Sequence, residues 1–88
     1  MGRKSLMEMF SAGAGESGVG LPIVEIVADR RVLVERHKGV LGYDDGKVCI
    51  RLSFGRLQVC GCGLKIAHMT KSQLVISGQI QTVVLQRG

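Results

Sequence analysis

Lys47-Val48-Cys49-Ile50-Arg51-Leu52 decides the fold. Val48, Ile50 and Leu52 alternate with Lys47, Cys49 and Arg51, the period of two that a strand shows when one face is buried and the other meets water. A helix would scatter those three aliphatic side chains around its circumference, because an apolar helical stripe needs spacings of three and four. The alternation continues downstream. Leu57 and Val59 stand against Arg56, Gln58 and Cys60, Leu64 and Ile66 against Lys65 and Ala67, and Leu74 and Ile76 against Val75 and Ser77. Residues 80–85 form a last, more apolar run, and residues 23–27 and 32–35 are rich enough in β-branched side chains to be strands as well. With residues 40–43 added, the pattern predicts an all-β domain of seven to eight short, mostly antiparallel strands.

Turn chemistry agrees. Asp45-Gly46 separates two apolar runs, and Asp-Gly favours a tight type I′ hairpin, whose two central residues need φ > 0. Ala28-Asp29-Arg30 divides the first two strands. Phe54-Gly55, Gly61-Cys62-Gly63, residues 70–73 and Gly78 break the later ones. Breaks at roughly this spacing suit a small antiparallel roll, sandwich or barrel. A short β-solenoid is the competing layout, since Leu57-Gln58-Val59-Cys60-Gly61 and Leu74-Val75-Ile76-Ser77-Gly78 echo one another. Solenoids need three or more repeats, and the third is missing.

The chain has 88 residues, 45% hydrophobic and only 3% aromatic. That allows one small domain, which buries about 60% of its unfolded surface and gains from contact with a partner. Residues 1–20 read differently from the rest. Ser11 to Gly20 is SAGAGESGVG, a stretch with little to bury, and is expected to be a flexible N-terminal tail. Leu6, Met9 and Phe10 would share one stripe of a short amphipathic helix over residues 3–10. So short a helix forms only against a membrane surface or a partner groove, and a disordered start is the simpler expectation. Residues 21–88 are the β domain. No apolar run approaches the roughly 18–20 residues of a membrane-spanning helix, so membrane contact is expected to be peripheral at most. Three cysteines, an odd number, suit a reducing compartment better than a disulfide framework.

The net charge of +5 is unevenly placed. Residues 1–45 hold six basic and seven acidic side chains; residues 46–88 hold six basic ones and no acid. Lys47, Arg51, Arg56, Lys65 and Lys71 are therefore a candidate basic patch, which would attract phosphate, acidic protein or anionic lipid. The plainer reading is a solvated face that keeps the domain soluble. The alternative function is a small basic β-barrel that binds nucleic acid through this half; it is the less expected one, because single-strand binders interleave aromatics with their basic groups and only Phe10, Tyr43 and Phe54 are present.

Catalytic and metal chemistry finds little support. Cys60-Gly61-Cys62 with Cys49 and His37 or His68 could supply metal ligands, but zinc sites favour pairs separated by two to four residues, and no second pair follows. A catalytic thiol would need a neighbouring base. Asp44 and Asp45 are spent on their turn, which leaves no obvious carboxylate pair. Gly61-Cys62-Gly63 precedes a strand, not a helix N-terminus, so it does not cradle a phosphate. No catalytic, cofactor or metal residue is assigned, and the chain is expected not to be an enzyme.

Several ordered pieces carry a resemblance. Leu21-Pro22 is followed by Val32-Leu33-Val34-Glu35-Arg36-His37-Lys38-Gly39-Val40, then Tyr43, Ser53-Phe54-Gly55-Arg56-Leu57, Gly61-x-Gly63-Leu64 and Gly78-Gln79-Ile80. Over residues 21–85 the chain resembles the YabP/YqfC family of sporulation proteins from endospore-forming Firmicutes, nearer the YqfC branch. Arg36 stands where that pattern has Asn. The resemblance implies a non-enzymatic protein made in the mother cell during sporulation and tied to building the spore envelope, its cortex or coat. It implies self-association or docking on a membrane-bound sporulation protein, peripheral at the forespore membrane, and no cofactor. His37 and Lys38, beside the turn residue Gly39, and Ile80 and Val84 in the last apolar run are the expected partner-binding edge.

Overall fold

A computed structural model describes residues 20–88. The expected tail and the helix over residues 3–10 lie outside the described residues, Gly20 apart. Six strands follow in order: β1 (Ile23–Val27), β2 (Arg31–Glu35), β3 (Val40–Tyr43), β4 (Lys47–Leu52), β5 (Gly55–Met69) and β6 (Gln73–Arg87). They form one open sheet in the order β1-β2-β6-β5-β4-β3, with every neighbouring pair antiparallel. The all-β reading holds. A solenoid, which stacks its coils in parallel, is excluded by the antiparallel pairings.

Two of the expected breaks are not turns. The strands foreseen around Leu57 and Leu64 are one 15-residue strand, and those around Leu74 and residues 80–85 are another, which is why six strands stand where seven to eight were expected. The glycines between them are bends in a two-stranded ribbon. Register slips between Cys60 and Gly61 and between Cys62 and Lys65, on the strand facing Gly78 to Ile80. A side chain at Gly61 would strike the main-chain oxygen of Gln79, and one at Gly78 would meet that of Gly63. Gly63 and Gly78 also have φ of +59° and +133°, the region where glycine escapes the Cβ penalty. Glycine in a strand marks a bulge or a close backbone approach as readily as a turn.

The bend makes a core possible. On one side of it, β1 and β2 lie against the first half of β6, because β2 pairs only with residues 73–77. On the other, β3 and β4 lie against the first half of β5, because β4 pairs only with residues 55–60. Val32, Val48, Ile50, Leu57, Val59, Leu74 and Ile76 are all wholly buried and belong to one cluster with Val34, Leu52, Leu64 and Ile80. A single flat sheet leaves both faces open to water, so complete burial from both halves requires the sheet to close over itself at the bend. The inward set matches the alternation of Val48, Ile50 and Leu52. Each buried aliphatic contributes on the order of 1.5–3 kcal/mol.

Both short hairpins are fastened to the bend. The β1–β2 turn closes with Arg30 N–H donating to Val27 O at 3.1 Å, and its Asp29 and Arg30 oxygens accept from Ile80 N and Gly78 N at 2.8 and 3.2 Å. The β3–β4 turn at Asp45-Gly46 offers its oxygens to Leu64 N and Gly61 N at 2.8 and 3.0 Å. That turn is not of type I′, since neither Asp45 nor Gly46 has positive φ. Its shape is set by Asp44, whose carboxylate accepts from Gly46 N at 2.8 Å, and by the bonds to β5.

Candidate functional site

The residues expected at a partner edge separate into two kinds. His37 is buried, with 6% of its surface exposed, and Ile80 is buried at 8%. Lys38 and Val84 are exposed. His37 holds its place through both ring nitrogens. Nε2 donates to Thr70 O at 3.0 Å, and Nδ1 accepts the main-chain N–H of Gly39 at 3.0 Å; since each partner has a fixed role, the proton sits on Nε2. Around it, Arg36 N–H donates to Ser72 O at 2.6 Å, Lys38 N–H to Arg51 O at 2.8 Å and Arg51 N–H to Gly39 O at 2.8 Å. Residues 36–39 thus tie the β5–β6 turn, on one half of the sheet, to β4 on the other. Gly39 adopts φ of +120°, a turn conformation that suits its residue type.

The candidate basic patch is divided as well. Lys47, Arg51 and Arg56 share the outward face of β4 and β5, where Arg51 lies directly opposite Arg56 and Lys47 opposite Cys60. Lys38 joins this end through its backbone pairing with Arg51. Lys65, opposite Ser77, lies beyond the bend, and Lys71 is at the β5–β6 turn. Among the described residues the one ion pair joins Arg30 to Asp29, its immediate neighbour, at 3.8 Å. The outward face around Arg51 and Arg56 therefore carries positive charge with no carboxylate among the described residues in ionic contact.

The possible metal ligands lie apart. Cys49 and Cys60 do face outward on adjacent strands, opposite Gln58 and Lys47 respectively, but Cys62 sits in the bend opposite Gln79, and His68 lies opposite Val75. All three cysteines are free thiols. Among the described residues no three His, Cys, Asp or Glu side chains gather where they could hold a metal ion.

One feature of the last strand is not visible in its composition. β6 is central in strand order, yet β2 covers it only over residues 73–77 and the β1–β2 turn reaches only Gly78 and Ile80. Residues 82–87 pair with β5 on one side, from Thr82 opposite Cys60 to Arg87 opposite Gly55, and have no strand on the other among the described residues. Val83 and Leu85 face inward with Val59 and Leu57; Thr82, Val84 and Gln86 face outward with Cys60, Gln58 and Arg56. Leu85 is nonetheless 56% exposed and Val84 42%. Leu85 ends the apolar run, residues 80–85, expected from the sequence as an edge or interface strand; the signal is a run apolar at successive positions, 83–85, where a half-buried strand would alternate.

Comparison with known proteins adds the remaining finding. The family model described as the YabP family matches residues 22–88. That span contains all six strands, the His37 tie and the free stretch of β6. A search of the curated proteins returns no match.

Proposed function

Because the chain belongs to the YabP family, which associates it with sporulation, we propose that it acts as a non-enzymatic structural or adaptor module in forming the spore envelope. It does so by self-association or by docking on a membrane-bound sporulation protein from the mother-cell side. The observation that carries this reading is the free stretch of β6 with Val84 and Leu85 exposed on it, because an open strand edge gives both main-chain hydrogen bonds and apolar pockets to an added strand. The use of His37 supports the same reading. Its two nitrogens serve the fold, so the most recognisable part of the sequence is explained by architecture.

The experiment is deletion of the gene together with a fluorescent fusion followed through sporulation. The expected result is a defect in cortex or coat and a signal in the mother cell that gathers at the forespore boundary. Normal, resistant spores from the deletion strain, or a signal that stays diffuse throughout, would sink the reading.

A further inference from the structure

We infer that residues 82–86 of β6 pair antiparallel with the same residues of a second copy, about a two-fold axis at Val84. The inference rests on the reading that this domain works by association, and it names the surface and the occupant.

Among the described residues the sheet has four unpaired edges, and they are not equivalent. β1 has Glu25 at its centre, so two copies of β1 paired about that point would set carboxylate against carboxylate. β3 is four residues long and bulged between Val40 and Gly42. The outer stretch of β5 beyond the bend carries Lys65 and a further bulge between Ile66 and His68. Short length, bulges and edge charges are the devices that keep sheets from pairing edge to edge. Residues 82–86 carry neither a bulge nor a charge: register against β5 is unbroken from Thr82 to Arg87, and Arg87 lies beyond the paired span.

The stretch is also complementary to itself. With Val84 on the axis, Val83 of each copy falls opposite Leu85 of the other, and both point to the inward face. Val83 already packs on the core, so the four side chains would join the two cores across the axis and cover Leu85. On the outward face Val84 meets Val84, and Thr82 meets Gln86. No like charges oppose one another. Shifting the axis to Leu85 would set Val83 against Arg87, and shifting it to Val83 would set Leu85 against Gln81, so the pattern selects one register. Pairing over so few residues makes a small interface, and the dimer is expected to dissociate on dilution.

The test is light scattering or sedimentation of the full chain over a range of concentrations, under reducing conditions so that the free thiols cannot link copies. The expected result is a reversible monomer–dimer equilibrium. Val84→Lys sets ammonium against ammonium on the axis and weakens it by at least about tenfold. A charge pair fixes the register: T82K/Q86K, with lysines opposed, loses the dimer, whereas T82K/Q86E, with Lys opposite Glu, keeps it. Ile26→Lys on the β1 edge leaves it unchanged. Far-ultraviolet circular dichroism confirms that each variant keeps its sheet; all the altered side chains are exposed, and the T82K pair remains decisive if V84K does not fold. A wild type that stays monomeric at high concentration overturns the pairing, as does a dimer indifferent to V84K and to the Lys–Lys pair or lost in I26K. A monomeric wild type with a sporulation defect on deletion would end this inference alone; a dimer with normal sporulation would end the functional reading alone.

Discussion

The imidazole of His37 donates a hydrogen bond to the main-chain oxygen of Thr70, 33 residues along the chain, at 3.0 Å. Thr70 is itself the organiser of the β5–β6 turn: its hydroxyl accepts from Gln73 N at 2.9 Å and Ser72 N at 3.3 Å, and its N–H donates to Gln73 O at 2.7 Å. A side chain leaving β2 therefore reads the conformation of the hairpin tip that begins β6. The same ring accepts Gly39 N–H and so shapes the turn that delivers the chain to β3. One buried residue couples the two halves of the sheet.

Removing that ring leaves the Gly39 N–H and the Thr70 oxygen without their partner in a part-buried setting. His37→Ala is expected to cost about 2–3 kcal/mol, from the unmet polar groups and the cavity together. His37→Asn, whose amide oxygen can stand near the position of Nδ1, is expected to lose less. Lys38→Ala, exposed, should change stability by no more than about 0.5 kcal/mol. Urea unfolding followed by circular dichroism measures all three, and an H37A midpoint equal to wild type would show that the ring is dispensable to the fold. Lys38→Ala is then the variant with which to ask about partners, since its effects are not confounded by unfolding.

The inward alternation of Val48, Ile50 and Leu52, of Leu57 and Val59, and of Leu74 and Ile76 was legible because it depends on nearest neighbours along one strand. Each of those residues is buried as its parity requires. What Gly61 and Gly78 do was not legible, because a turn and a bulge ask the same thing of the local backbone and differ in what lies across the ribbon. The burial of His37 was hidden for a similar reason: its partner Thr70 is remote in sequence, and a polar residue before Lys38-Gly39 reads as a surface turn. The free side of residues 82–87 depends on where β2 stops, which no pattern within β6 records.

Arg36 adopts φ of +62°, a left-handed conformation that costs a branched or long side chain about 1–2 kcal/mol and that asparagine tolerates better. This gives a physical reason for the Asn that the resemblance leads one to expect at this place. The guanidinium of Arg36 does bond to Leu21 O at 3.3 Å, but in an exposed setting where such a contact adds little. Arg36→Asn is expected to stabilise the domain by about 0.5–1 kcal/mol. A lower unfolding midpoint for R36N than for wild type would refute the account of strain.

The bend makes contrasting demands on glycines that look alike in sequence. At Gly78 an added Cβ would stand 2.6 Å from Gly63 O, on a backbone whose φ of +133° suits no other residue well. Gly78→Ala is expected to cost about 2–4 kcal/mol, combining overpacking with backbone strain. Gly42 in β3 has open space around it and no positive φ. Gly42→Ala should be neutral or stabilising by about 0.5 kcal/mol, as alanine restricts the unfolded chain more. Equal losses from the two variants would mean that the ribbon does not bend where it is drawn.

Arg51 and Arg56 oppose each other across β4 and β5 on the outward face, and no carboxylate among the described residues makes an ionic contact with either. Like charges directly opposed on a sheet destabilise it, by a few tenths of a kcal/mol when solvated. Added salt should therefore raise the stability of the wild type slightly, since the ion atmosphere screens repulsion over about 10 Å at 0.1 M. Arg51→Glu converts the pair to opposite charges and should reverse the sign of the salt dependence while raising stability at low salt. The double variant R51E/R56E restores opposition, now between carboxylates, and with it the original sign. Three denaturation series across ionic strength, for wild type, R51E and the double variant, decide the matter. If all three slopes agree in sign, the two guanidinium groups do not feel one another, and the positive charge of this face is left as a feature for a partner alone.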